Sequence, residues 1–500
     1  MSYLYLKGYI EDEMDLGVRE AFPENCGIAA AIDVENASCV AAELITFMEK
    51  RGERGSGVVS QLDKKLYERR RVGPFSVQFK DFDVFRFSKE LPGKVAIAHC
   101  RYATKGDPNF VANVQPLTVE DSKYGPFAVA HNGTLVNTEK TRKALIKGGC
   151  AFHSTSDTET LIHLILSSKE NKIEDAIKFA LTKIDCAYSL LIITKDQVFA
   201  IRDSFGIRPL SIAKMDSGYL IASETAPFDQ FSKATYWRDV EPGEIVVFAS
   251  GMKKPKSIIY ATPDEHFCIF ESIYFSNPRS KKNGIYHEDF RRLVGGYLAR
   301  SIDPKIIDIN KPPLVIPILD SGKHFAEGFA NQLSKDFSFK YQEVYEEVLQ
   351  RAHGQLGGQS RSFTAIDTDE RIAIIKKKLH LKKEAVCGRT VILVDDSIVR
   401  SNTAKTIIAM IRQAGAEKII FCVGFPPVIN ICPNGMDFQT KSQLIASHKS
   451  IKQIKKEIGA DELIYLGKDE LFNVISETYK CGICSGCFDN RYPVVFKKDE

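Results

Sequence analysis

Apolar and polar positions along the chain fall first into short strand-like runs and later into a strand-then-helix alternation. Residues 1 to about 25 hold no sustained period and are rich in acidic side chains. From Cys26 the pattern sharpens. Cys26–Ile32 is an apolar run of strand length, and Ser38–Lys50 has helical spacing. Val95–Tyr102 and Phe127–Val136 are alternating or apolar strands. Asp157 has the chemistry of a helix N-cap, with Leu161, Leu164 and Ile165 following at helical intervals. Ala187–Thr194, Val198–Arg202 and Glu244–Phe248 again have strand patterning. Strands with interspersed helices make this half α+β.

Ala249–Pro263, with Gly251, Pro255 and several lysines, has the composition of a linker. Beyond it the grammar becomes strand then helix. Pro313–Leu319, Thr390–Val394 and Ile419–Val423 are buried strands, and Lys405–Ala414 is a helix ending at Gly415. That alternation predicts a mostly parallel sheet covered on both faces. A chain of 500 residues exceeds what one core sustains, so we expect a domain at 26–250 and another at 264–500. There is no internal repeat.

Composition changes this picture little. Hydrophobic residues at 44% and charged residues at 26% are ordinary for folded chains, and a net charge of +4 argues against a nucleic-acid face. Lys376-Lys377-Lys378 and Lys382-Lys383 read as solvated surface. Nothing approaches the roughly 18 apolar residues of a membrane span. Met1–Ile10 runs into Glu11-Asp12-Glu13, unlike a secretory signal. The expectation is a soluble, cytoplasmic protein whose 12 cysteines are not a disulfide framework. Cys39, Cys100, Cys150, Cys186, Cys387 and Cys422 stand singly and are expected to be small buried side chains.

Three groups of residues carry chemistry. The first is Cys26-Gly27, then Arg51-Gly52-Glu53-Arg54-Gly55-Ser56-Gly57, His99-Cys100-Arg101, His131-Asn132-Gly133 and Ser156-Asp157-Thr158-Glu159. Releasing ammonia from an amide needs a nucleophile and donors aimed at the developing oxyanion. A thiol needs a base, and a free α-amino group with a pKa of about 7.7–8.0 serves if the cysteine is the first residue. Residues 1–25 then read as a propeptide whose removal uncovers Cys26. The Asn132 amide and the Gly133 N–H suit an oxyanion hole, Arg101 a substrate carboxylate and Asp157 an α-ammonium.

Residues 26 to about 250 resemble the N-terminal-nucleophile glutaminase domain of glutamine amidotransferases, a four-layer αββα fold. The resemblance assigns Cys26, Arg101, Asn132, Gly133 and Asp157 these same roles. Glu53 stands where that family usually has Gln, and Ala30 where Gly is common.

The second group is the fourteen residues Val391 to Ala404, in which a buried strand delivers Asp395-Asp396 to a hydroxyl-rich loop opening a helix. Helix N-termini favour anions, so the arrangement suits a sugar phosphate, its phosphate in the loop and its hydroxyls on the acids. An acidic turn before a helix would explain the two aspartates but not the whole pattern. It resembles the signature of α/β type I phosphoribosyltransferases, and in detail that of the amidophosphoribosyltransferases. By that match Asp395, Asp396, Ser397, Arg400, Ser401, Asn402 and Thr403 bind phosphoribosyl pyrophosphate. Ser321, in Leu319-Asp320-Ser321-Gly322, would join Asp395 and Asp396 around one Mg²⁺. Ser401-Asn402 replaces the usual Gly-Thr, and a glycine there would accommodate a positive φ. His287 and Arg291, on a matching helix, read as surface residues. Between Val348 and Arg371, where the family has a mobile loop, the match is poorest.

The third group is Cys481-Gly482-Ile483-Cys484-Ser485-Gly486-Cys487. Thiolates so spaced suit zinc or an iron–sulfur cluster, with Cys268 and Cys432 available to complete a set. The resemblance implies a [4Fe–4S] cluster on Cys268, Cys432, Cys484 and Cys487, in the family's propeptide-bearing subgroup, with Cys481 no ligand. It further implies two coupled half-reactions, on glutamine and on phosphoribosyl pyrophosphate, in a homotetramer inhibited by purine nucleotides. Asp395-Asp396 excludes the isomerase and synthetase partners that other amidotransferases carry. The competing expectation is a non-catalytic regulator that binds phosphoribosyl pyrophosphate on the same fold.

Overall fold

The computed structural model describes residues 26–79, 84–102, 110–135, 138–184, 186–249, 252, 254–351, 379–436 and 440–494. Two antiparallel sheets stack in the first half. One runs in the order Thr235–Asp239, Ser211–Lys214, Tyr219–Ala222, Gly27–Ile32, Val95–Arg101, Gly55–Leu62, Lys65–Val72. The other runs Lys256–Ile259, Glu244–Ala249, Gln197–Arg202, Ala187–Thr194, Phe127–Thr134, Leu117–Val119.

The Gly27–Ile32 strand shows why the sequence takes this form. Ile28, Ala30 and Ile32 face the second sheet, while Ala29 and Ala31 face a helix-covered outer core. Both faces are apolar because the strand lies in the interior of a layered stack. Small alanines let the Ala37–Phe47 helix pack against that outer face. Helices Asp157–Ser167 and Ile173–Leu181 cover the other sheet, completing helix, sheet, sheet, helix. The expected four-layer αββα arrangement is what forms.

Three sequence expectations need correction here. The stretch read as a linker contributes Lys256–Ile259, an edge strand paired with Glu244–Ala249. The helix expected over Ser38–Lys50 stops at Phe47 and is followed by a tighter turn at Glu49–Arg51. The N-cap is Ser156, whose hydroxyl accepts from the Thr158 N–H, so Asp157 lies in the first turn.

The second half is built on a parallel sheet ordered Leu314–Pro317, Thr390–Asp395, Lys418–Val423, Glu462–Tyr465. Helices His287–Arg300 and Lys323–Phe337 pack on one face and Asn402–Gln413 and Ile451–Ile458 on the other. A short parallel pair, His266–Cys268 with Gly482–Cys484, has Cys268 in register with Cys484, and the His266 and Cys268 N–H groups donate to the Phe205 and Ile207 carbonyls of the first half. Among the described residues no helix is long and apolar enough to cross a membrane.

Candidate active site

Cys26 is 1% exposed and immediately precedes the first paired residue of its strand, Gly27 with Cys100. Arg51 Nε donates to the Cys26 carbonyl at 3.1 Å. The other arms of that guanidinium reach Glu224 at 2.7 Å and Glu271 at 2.8 Å. Arg208 reaches Glu271 at 3.0 Å, so two arginines and two glutamates form one buried, charge-balanced group. Buried ions destabilise unless their remaining valences are filled. Here Glu224 accepts from the Asn277 N–H at 2.8 Å and Ser280 Oγ at 3.1 Å, and Glu271 from Ser276 Oγ at 3.2 Å. Burial pushes the Glu271 carboxyl up, but Arg51 and Arg208 outweigh it and hold it at about 2. Sequence reading missed Glu224, Glu271 and Arg208.

Asn132 and Gly133 close the Phe127–Thr134 strand. Asn132 Nδ2 lies 3.5 Å from Ser223 Oγ, which accepts from the Ile28 N–H at 3.0 Å, so Ser223 ties the amide to the Cys26 strand. Gly133 has φ of +150°, and a Cβ there would stand 2.2 Å from the Ala187 carbonyl oxygen. Asp157 Oδ2 accepts from the Leu135 N–H at 2.8 Å. Asp157 Oδ1, Asn132 Oδ1 and His131 Nε2 are buried with no hydrogen-bond partner. Such orphans are rare in folded chains and leave polar capacity open to a ligand or a water. Arg101, 5% exposed, ends the neighbouring Val95–Arg101 strand. Burial lowers His131 and takes His99 down to about 3, so neither imidazole is charged at neutral pH. Ser154 and Glu159 brace the approach to Asp157: the carboxylate accepts from the His153 and Ser154 N–H groups at 2.7 Å each.

In the other half, Asp395 ends the Thr390–Asp395 strand at the carboxyl edge of the parallel sheet, where ligands bind in such folds. Asp395 and Asp396 are both buried. Burial pushes both carboxyls up. The Asp396 charge adds to the rise at Asp395, while Ser321, Ser397 and Arg291 counter the rise at Asp396. Ser321 Oγ lies 3.5 Å from Asp395 Oδ1, and Ser397 Oγ bonds Asp396. Ser321, Asp395 and Asp396 thus converge. Two adjacent buried carboxylates favour a cation or hydroxyl donors between them. Ser401 itself takes φ of +63° at the start of the Asn402–Gln413 helix, so the loop keeps a left-handed residue without glycine. Arg400 is turned to Gln443 Oε1 at 2.8 Å, and Ser401 Oγ lies 3.3 Å from Glu457. Asn402 and Thr403 are half-buried in the first turn.

His287 and Arg291 are not surface residues: they are 3% and 2% exposed. Arg291 donates to the Ser272 and Ser276 carbonyls at 2.9 and 2.7 Å, next to Asp396. Cys387 is exposed and Cys150 half-buried, against expectation, while Cys39, Cys100, Cys186 and Cys422 are buried. Cys387 precedes a tight turn at Gly388, φ +66°, which holds it outside the sheet packing. Most of the Val348–Arg371 stretch, the Lys376–Lys378 run and residues 1–25 lie outside the described residues.

Cys268, Cys432, Cys484 and Cys487 are each 7% exposed. Burial pushes all four thiols up, Cys484 to about 12, and Cys268, Cys484 and Cys487 feel one another's charge or that of Cys432. Half-buried Cys481 responds instead to Glu265, Lys282 and Arg202. The donor set is all sulfur, which fits soft metal centres. Among the described residues no three His, Cys, Asp or Glu side chains are grouped to hold a single metal ion.

Two stacked antiparallel sheets between helices, followed by a parallel sheet with paired acids at its carboxyl edge, define an amidotransferase domain followed by a phosphoribosyltransferase domain. A glutamine amidotransferase domain family matches residues 99–230, and a phosphoribosyl transferase domain family matches residues 286–427. The chain is 33% identical over 480 residues to an amidophosphoribosyltransferase of Bacillus subtilis, covering 95% of each. It is 35% identical over 475 residues to a chloroplastic amidophosphoribosyltransferase of Vigna aconitifolia, covering 94% of this chain and 92% of that one. The solved structure of an allosteric regulatory enzyme of purine biosynthesis superposes with a TM-score of 0.84 at 33% identity, covering 95% and 97%. That of the Bacillus subtilis glutamine phosphoribosylpyrophosphate amidotransferase complexed with ADP and GMP gives 0.81 at 32%, covering 95% and 98%. The chain belongs to the amidophosphoribosyltransferase family.

Proposed function

We propose that this enzyme catalyses the first step of purine biosynthesis, moving ammonia from glutamine onto phosphoribosyl pyrophosphate. Cys26 Sγ attacks the glutamine amide carbon, ammonia leaves, and water hydrolyses the thioester to glutamate. The Asn132 amide and Gly133 N–H face the oxyanion, Arg101 the α-carboxylate and Asp157 the α-ammonium. The observation carrying this assignment is the buried Asp157 Oδ1, which accepts no hydrogen bond and lies 3.9 Å from His131 Nδ1, with Asn132 in a strand tied through Ser223 to the Cys26 strand. Removal of residues 1–25 would give Cys26 the α-amino base the step needs.

In the second half-reaction ammonia attacks ribose C1 as pyrophosphate departs, giving phosphoribosylamine. Asp395 and Asp396 hold the ribose hydroxyls, and the loop through Ser397, Arg400, Ser401, Asn402 and Thr403 holds the 5′-phosphate. Mg²⁺, which Ser321, Asp395 and Asp396 would hold, supplies charge neutralisation to the leaving pyrophosphate. Cys268, Cys432, Cys484 and Cys487 would hold a [4Fe–4S] cluster, which supplies a cross-link rather than chemistry. Support for the cluster is the all-thiol donor set, in which all four side chains are buried. The nucleotide complex of the Bacillus subtilis relative supports purine nucleotides as feedback inhibitors. We extend the family analogy to a homotetramer, and to a reducing compartment such as the cytoplasm, which suits a chain of twelve cysteines whose spacing is not that of a disulfide framework. No finding favours the non-catalytic regulator.

The test is glutamate release by anaerobically purified protein with Mg²⁺ and glutamine, with and without phosphoribosyl pyrophosphate. Stimulated glutamate release matched by pyrophosphate is expected. Cys26→Ala should lose the glutamine route and keep an ammonia-dependent one. Loss of both routes would refute the division of labour, and no release from the intact enzyme would restore the regulator reading.

A further inference from the structure

Arg51 and Glu224 already balance one another, so Glu271 and Arg208 add no net charge to the buried group. What they add is a tether. Glu271 lies on a π-helical turn, Glu271–Phe275, whose flanking carbonyls hold Arg291, whereas Arg51, Arg208 and Glu224 come from the layered half. Single π turns recur at functional positions. Arg208 then continues past Glu271 to the Asn434 carbonyl and to Met436 Sδ at 4.0 Å, in the segment following Cys432.

The near end of this chain is Cys26. A guanidinium is planar, with its N–H groups in a fixed fork, so oxygens on three sides determine its orientation. For Arg51 these are the carboxylates of Glu224 and Glu271 and the Cys26 carbonyl. The strand ladder begins at Gly27, and the Arg51 bond holds the carbonyl of the nucleophile just ahead of it. Buried ion groups are poor sources of stability compared with apolar packing, so stabilisation alone accounts weakly for this one.

We propose that Glu271 and Arg208 are positioning residues for the amide chemistry, acting through Arg51 to set the Cys26 backbone from across the domain junction. This rests on the assignment of Cys26 as nucleophile. Through the Asn434 carbonyl the same tether reaches the segment that follows Cys432, so the nucleophile is registered against both halves at once.

The test uses the processed two-domain enzyme, beginning at Cys26, with the charge-balanced double substitution Glu271→Gln and Arg208→Met. Three quantities are read: kcat and KM for glutamine, the ammonia-dependent rate, and the rate at which iodoacetamide alkylates Cys26, followed by peptide mass. A misplacement near 1 Å should lower kcat for glutamine about 10²-fold, with KM and the ammonia rate within about threefold. Cys26 alkylation should slow in parallel. If kcat and alkylation both stay within about twofold of the parent, the tether is structural only and the proposal falls. Should the double variant fail to fold, Arg208→Lys, which keeps the charge and loses the fork, replaces it. Parental alkylation in that variant equally overturns the proposal. An intact enzyme that uses ammonia but not glutamine would instead overturn the assignment of Cys26 itself, before any variant is compared.

Discussion

Ser401 offers a direct measurement of backbone strain in the phosphate loop. Its φ of +63° places a Cβ in the left-handed region, where an L side chain costs about 1–2 kcal/mol. Its hydroxyl lies 3.3 Å from Glu457, a carboxylate that Lys449 also bonds. Ser401→Gly and Ser401→Ala both delete that hydroxyl, so its contribution cancels when the two variants are compared. They differ in the Cβ strain, offset by the roughly 0.4–1 kcal/mol that glycine costs through the unfolded chain. The net advantage of glycine over alanine is then on the order of 1 kcal/mol. For a domain of about this size that corresponds to roughly 2–4 °C in melting temperature. Differential scanning calorimetry of both variants reads it, and equilibrium binding of phosphoribosyl pyrophosphate gives the functional arm. If backbone N–H groups hold the phosphate, affinity in Ser401→Gly stays within about threefold of the parent. An alanine variant melting at or above the glycine variant would refute the strain argument.

Other outcomes follow from the same geometry. Gly133→Ala puts a Cβ 2.2 Å from the Ala187 carbonyl, and displacing one oxyanion donor should cut glutamine hydrolysis about 10²–10³-fold while ammonia use persists; paired assays of the two routes check it. Glu271 is depressed to about 2 against roughly 4.3 in the unfolded chain. Its stabilisation is therefore complete above about pH 4.3 and lost as pH falls toward 2, on the order of 3 kcal/mol in all. Urea titrations at pH 6 and pH 3 should show a larger loss for the parent than for the Glu271→Gln, Arg208→Met chain. Cys268→Ser or Cys484→Ser should abolish bound non-haem iron and sulfide, whereas Cys481→Ser keeps both, read by metal analysis of anaerobically purified protein.

The parts of the site legible from sequence are those whose signal is local. Cys26 heads an apolar run, Asp395-Asp396 sits between a buried strand and a helix, and the cysteine triplet is compact. Glu224 and Glu271 were invisible because their partner Arg51 lies 173 and 220 residues away, and a lone glutamate in an apolar stretch carries no address. Arg291 was misread because helical spacing gives its face but not what covers that face. Its cover is the π turn, with Tyr479 arriving from near the end of the chain to meet Ser272 at 2.9 Å. The Lys256–Ile259 strand was hidden by its composition: an edge strand with exposed lysine and serine imitates a linker.

The parallel pair His266–Cys268 with Gly482–Cys484 bears on how the chain is made. Both sheets of the first half are complete once Ile259 has been added, yet the next strand has its partner more than two hundred residues downstream. During synthesis from the N-terminus, the Phe205 and Ile207 carbonyls can take one edge of the early strand at once, but its other edge must wait while the whole parallel sheet is laid down. Closure of so long a loop is slow, and an unpaired edge is a place where a neighbouring nascent chain can dock. A translation pause between residues 268 and 482 would lengthen that wait, making the yield of folded enzyme sensitive to elongation rate through the codons of the parallel sheet.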